Sequence, residues 1–167
     1  MRPLPYMIPD SSRLLNAGIL LLTISILGKS QQGKVLLNNE RLSIFMHLVK
    51  NPTTLAQFLS RLGLTQVDLT TEDVFSVSSL SVNLDSLFDH QWIKSLLKHL
   101  ASLGFLAASY RKGDGFVYSL TEKGEQAAQA LTGHHFEKTR RFLHALESIK
   151  TQSTSTLNKV LNDTFRG

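Results

Sequence analysis

The stretch from Asp89 to Leu131 leaves this chain few ways to fold. Trp92, Ile93, Leu96, Leu97, Leu100 and Leu103 recur at three- and four-residue spacing behind Asp89, a good N-cap. This predicts a helix that stops at Gly104, where a left-handed C-cap is wanted. Phe105–Tyr110 and Phe116–Leu120 then read as two strands, and Gly113-Asp114-Gly115 supplies the positive φ angles of a tight turn. Thr121 caps a further helix, with Glu122 in its first turn and Ala127, Ala128, Ala130 and Leu131 behind.

Helix, two-stranded hairpin, helix, with a Leu-Gly-Phe-Leu lead-in and a Leu-Thr-Glu-Lys-Gly exit, resembles the second half of a winged helix-turn-helix domain. The implied fold class is mainly α with a small β wing. An apolar helix would precede the winged domain and a helical extension would follow it. The implied divisions are 1–38, an N-terminal arm and apolar helix; 39–132, the winged domain with an acidic insert at 64–88; and 133–167, an amphipathic C-terminal helix.

Upstream, Met1 to Pro9 holds three prolines, which disfavours a helix and predicts an extended arm. Its apolar members, Tyr6 and Ile8 among them, are expected to pack on the domain or dock on another chain. Asp10 or Ser11 would cap a helix to about Leu27 that is apolar nearly all round, hence buried on every side. The run Leu14–Leu27 is fourteen residues and contains Asn16, Thr23 and Ser25. That falls short of the about 20 residues needed to cross a bilayer, and no signal-peptide pattern accompanies it. A short strand is expected at Val35–Leu37. A second helix capped by Asn38 or Asn39 would run to Asn51-Pro52, and a third would start at Thr53 or Thr54. Phe45, Leu48, Phe58 and Leu62 would meet Trp92, Leu96 and Leu100.

The segment Leu64–Phe88 is far longer than the 3–4-residue turn of a minimal helix-turn-helix, and a strand is expected near Val74–Val82. No Lys or Arg occurs from Leu62 to Ile93, while Asp68, Glu72, Asp73, Asp85 and Asp89 do. Charge of that sign repels phosphate within a Debye length of about 8–10 Å. Past Thr132-Gly133, a stripe of Phe136, Leu143, Leu146, Ile149, Leu157, Val160 and Leu161 predicts an amphipathic helix in need of a surface. Leu143, Leu146, Ile149 and Leu157, with Tyr6 and Ile8, are the candidate partner interface.

With no cysteine, neither a disulfide framework nor a Cys-based metal site is available. The six histidines form no spaced ligand set, so no metal is expected. Gly28-Lys29-Ser30 follows an apolar helix instead of preceding one and lacks the earlier glycine of a P-loop, so no nucleotide or other cofactor is implied. No nucleophile–base pair has supporting context, and an enzyme is not expected. The lack of cysteine suits a reducing cytoplasm, and a net charge of +5 is mildly basic and fits nucleic acid or an acidic partner. Opposite the leucines of the Asp89–Leu103 helix lie Gln91, Lys94, Ser95, Lys98 and Ser102. Lys94 and Lys98, with Arg111 and Lys112 on the wing tip, are the candidate DNA contacts. A plain solvated face is the alternative for those lysines, and the helix has no arginine for a bidentate guanine contact. Trp92 and Phe116 are expected in the core.

Leu4-Pro5-Tyr6-Met7-Ile8-Pro9-Asp10, the apolar helix with Asn16, Gly33-Lys34-Val35-Leu36 and Leu42-Ser43-Ile44-Phe45-Met46-His47-Leu48-Val49-Lys50-Asn51-Pro52 resemble the middle components of bacterial three-component ABC-ATPase conflict systems. The Lamassu type of anti-phage and anti-plasmid defence is one example, and the winged-helix accessory subunits of bacterial SMC complexes are more faintly similar. The resemblance implies a non-catalytic adaptor. It would hold an SMC- or Rad50-like ATPase together with an effector, often a nuclease, until foreign DNA is sensed. The rival reading is a homodimeric regulator of the PadR or MarR kind, whose first and last helices would form the dimer and whose wings would read a palindrome.

Overall fold

The computed structural model describes residues 13–64 and 90–166. The arm with Tyr6 and Ile8, the caps at Asp10, Ser11 and Asp89, and the strand expected near Val74–Val82 lie outside the described residues. Those described are mainly helical, with one small three-stranded antiparallel sheet.

The apolar run forms α1 (Arg13–Leu27), whose residues Asn16–Ile24 and Leu27 are buried. Thr23, fully enclosed, directs its hydroxyl back to the Ile19 carbonyl at 2.8 Å, so the helix itself satisfies this buried polar group. A polar loop then doubles back through a bridge between Lys29 and Val35 into β1 (Leu37–Asn38). Asn38 caps α2 (Asn39–Lys50), its side chain accepting from Arg41 N at 2.9 Å. Helix α3 (Pro52–Arg61) starts one residue earlier than Thr53: Pro52 takes the first helical position, where a missing N–H is harmless.

The described chain resumes with α4 (His90–Ser102), the hairpin strands β2 (Leu106–Arg111) and β3 (Gly115–Leu120), and α5 (Glu122–Ala130). The strands pair in register from Leu106↔Leu120 to Arg111↔Gly115. β1 adds to the other side of β3, giving the order β1-β3-β2 with β2 at one edge among the described strands. Gly113 and Gly115 carry the positive φ angles of the turn. The Thr121 hydroxyl accepts from Gly124 N at 3.1 Å and donates to the Gly104 carbonyl at 2.6 Å, locking α5 to the end of α4. A side chain at Gly124 would place its Cβ 2.1 Å from the Phe105 carbonyl oxygen, so the glycine that closes Leu-Thr-Glu-Lys-Gly is a close-approach residue.

Helix α6 (His134–Leu146), a 3₁₀ turn (Glu147–Ile149) and α7 (Thr154–Phe165) replace the single C-terminal helix. The break falls in the polar stretch 151–156, where Ser153 caps α7 by accepting from Thr156 N at 3.2 Å. Arg41, from α2, fixes the break: Nη1 donates to the Gln152 carbonyl at 2.5 Å and Nη2 to the Lys150 carbonyl.

One core joins these elements. Helix α1 is its axis, touching α2, α4, α5, α6 and β3, while α7 closes on α2 and α3. Leu143, Leu146, Ile149 and Leu157 are buried in this core. The surface that the amphipathic tail covers is the chain's own: α6 lies on α1, which has no polar face, and α7 lies on α2 and α3. Phe45, Leu48, Phe58, Leu96 and Leu100 share that core, with Trp92 and Leu62 packed at its edge.

Candidate functional site

Because the period of α4 buries Ile93, Leu96, Leu97 and Leu100, its intervening residues face outward. Lys94 and Lys98 are exposed there. With Gln91, Ser95 and His99 they line a shallow depression of about 340 Å³. The sixth lining residue, Arg13, comes from the first turn of α1. Its Nη2 donates to Ser95 Oγ at 3.1 Å across 82 residues of sequence. Among the described residues no carboxylate lines the depression, and α4 contains none.

Arg111 and Lys112 are not among those lining residues. Arg111 Nε donates to Asp114 Oδ2 at 2.6 Å, and Nη1 to the Val35 carbonyl at 2.8 Å. Asn38 Nδ2 reaches the Asp114 carbonyl at 3.2 Å. Arg111 therefore braces the turn against the 28–38 loop. Lys112 stands exposed in the turn itself. The Arg111–Asp114 spacing of three residues was visible in the sequence; the Val35 contact was not.

Phe116 corrects an expectation: it is 56 % exposed, not core. By alternation Phe116 shares a face of β3 with Tyr118, which is in the core, but it stands at the turn end of the hairpin, beyond the reach of that core. It meets the 71 % exposed Tyr110 edge to face, ring centroids 5.7 Å apart. Tyr110 sits on the edge strand, and Ala107, Ala108 and Ser109 beside it are exposed too. Trp92 is half-buried, with Lys50 Nζ 4.9 Å from its ring centroid. Leu103, at the end of the α4 stripe, is 42 % exposed because the helix ends before it can turn inward.

His47 is a buried titratable group of the core. Desolvation by burial, and secondarily the charge of Lys50, lower its pKa to about 4. Its ring packs edge-on to Phe165 at 5.6 Å. Burial also lowers the Arg41 pKa, which the nearby Asp114 charge opposes. Both are structural positions. Among the described residues no group of His, Asp or Glu could hold a metal ion, and no helix is long and apolar enough to cross a membrane.

The family model described as ABC-three component (ABC-3C) system Middle Component 4 matches residues 27–159, from the last residue of α1 into α7. No curated protein and no solved structure gives a match.

Proposed function

This chain belongs to the ABC-3C Middle Component 4 family, and from that premise we propose that it is a non-catalytic winged-helix adaptor. Its partners in this reading are an SMC- or Rad50-like ABC ATPase and an effector subunit, most simply a nuclease, in a defence complex directed at foreign DNA. The observation that carries the reading is a pair of separate surfaces that the fold leaves open. One is the aromatic edge of the β2–β3 hairpin, with Tyr110 and Phe116 outward. The other is the basic depression on α4. An adaptor needs two such faces; exposed aromatics suit a protein contact and lysines suit DNA.

The winged-helix part rests on α2, α3 and α4 followed by a hairpin, with the sheet order β1-β3-β2. In that assignment α4 is the recognition helix and Lys112 lies on the wing tip. The burial of α1, and of Leu143, Leu146 and Leu157, favours the adaptor over a PadR- or MarR-like regulator. A regulator would hold its first and last helices for a dimer partner, and here α1 is covered by α5 and α6 while α7 lies on α2 and α3.

The test is to recover the tagged chain from its native cells and mass-analyse what co-elutes. An ABC ATPase and one further component in stoichiometric amount are expected. Tyr110→Ser with Phe116→Ser should lose one of them while the melting temperature holds. A homodimer without a companion sinks the adaptor and turns attention to the regulator.

A further inference from the structure

Lys94 and Lys98 stand one turn apart on α4, about 6 Å along its axis. Like charges at that spacing oppose each other by a few tenths of a kcal/mol. Helix α4 offers no carboxylate to relieve them, and neither lysine has an ion-pair partner among the described residues. Arg13 adds a third cation to the same depression, held in place through Ser95. Two elements far apart in sequence thus converge three positive charges on one spot, with the side chains of Gln91 and Ser95 between them. Nothing in the core requires this, since Arg13, Lys94 and Lys98 are all exposed.

Resting on the reading that the chain touches DNA, we infer that this depression seats backbone phosphates of double-stranded DNA, with Arg13 as an anchoring residue from α1. Phosphodiester oxygens match a set made of cations and polar groups, with no carboxylate among the described residues. Lys94 and Lys98 supply point charges, and the Arg13 guanidinium supplies the directional N–H donors. A site of this kind holds the backbone without reading bases, so binding is independent of sequence. It also fixes α4 against the duplex from the side of α1, which a helix-turn-helix working through α4 alone does not do.

The experiment is an anisotropy titration of the full chain against a fluorescein-labelled duplex of arbitrary sequence, over a series of salt concentrations. Each phosphate contact contributes about 0.9 to the slope of log K against log salt. Arg13→Ala should lower the slope by about 1, and Lys94→Ala with Lys98→Ala by about 2. Arg13→Lys should restore the slope, because the charge returns. Lys159→Ala on α7 should change nothing, nor should a change of duplex sequence. All these side chains are exposed, so melting curves should superimpose. If wild type binds the duplex and the Arg13 and lysine variants bind it equally well, the depression is not the seat, although DNA contact stands. If wild type binds no duplex, the inference and the DNA reading fall together; the adaptor reading is judged separately by co-purification. If polyglutamate binds more tightly than duplex at equal salt, or if Arg13→Ala abolishes partner co-purification, the depression is a protein interface and the inference is overturned.

Discussion

Helices α1 and α4 are of similar length and lie against each other, but they follow opposite rules. Helix α1 is apolar nearly all round and enclosed, so the apolar residues between Asn16 and Ile24 answer to packing alone. Helix α4 answers to packing on one face only. Its other face carries lysines that the core neither needs nor neutralises. The difference separates what holds this protein together from what it presents to partners. A substitution in α1 tests the fold, and one on the outer face of α4 tests function.

The strongest way to break this contrast is within α1 itself. Leu21→Asp buries an unpaired charge at a 5 % exposed position and should abolish cooperative melting, a loss above about 4 kcal/mol. Leu14→Asp, in the same helix but 82 % exposed, should shift stability by less than about 0.5 kcal/mol. Equal melting temperatures for the two variants would show that α1 is not the enclosed axis.

Next in size is the C-terminal cover of α1. Phe142→Ala on α6 should cost about 3–5 kcal/mol by thermal denaturation. Phe142 is 2 % exposed inside the shared core. Were α6 a detachable docking helix, the same variant would melt like wild type and lose only its partner.

His47 extends the contrast to pH. Its ring is held neutral in the fold, with a pKa of about 4 against 6.5 when unfolded. Between those values the unfolded chain takes up a proton that the folded chain refuses. Stability is therefore full above pH 6.5 and falls as pH drops toward about 4, by on the order of 3 kcal/mol. Denaturant midpoints across this range should flatten in His47→Leu. If the wild-type midpoint is already flat, the imidazole is solvated rather than enclosed.

The smallest stability effect belongs to the hairpin turn. Lys112→Glu should leave the midpoint within about 0.5 kcal/mol while weakening duplex binding and sparing partner recovery. Adding Arg111→Glu should lower the midpoint further, because it breaks the brace to Asp114 and Val35 and sets two acids side by side. Lost partner recovery in Lys112→Glu would assign the turn to a protein contact instead.

Much of this was legible in the chain because periodicity is a local property. The helices around Leu42–Val49 and Trp92–Leu100, the hairpin with its paired glycines, and the Thr121 cap each declare themselves within a few residues, while the structure chooses Asn38 over Asn39 as the cap of α2. The enclosure of α1 followed from its lack of a polar face. The sequence pattern placed Lys94 and Lys98 on one outward face, where the structure has them. Phe116 was misjudged because it shares a strand face with the core residue Tyr118, and only the tertiary structure shows that the core ends short of the hairpin turn.

What the sequence determined by itself is therefore the set of elements, their apolar faces, and a chain rich in surfaces to cover. Which surface covers which was decided by tertiary structure. The stripe of Leu143, Leu146, Ile149 and Leu157 could have faced a partner, but the unsatisfied apolar surfaces of α1, α2 and α3 lie within the same chain at high effective concentration. Arg13 and Ser95 likewise become neighbours only when α1 packs beside α4. No local pattern links residues 82 positions apart; only the shared burial of apolar area brings them into reach.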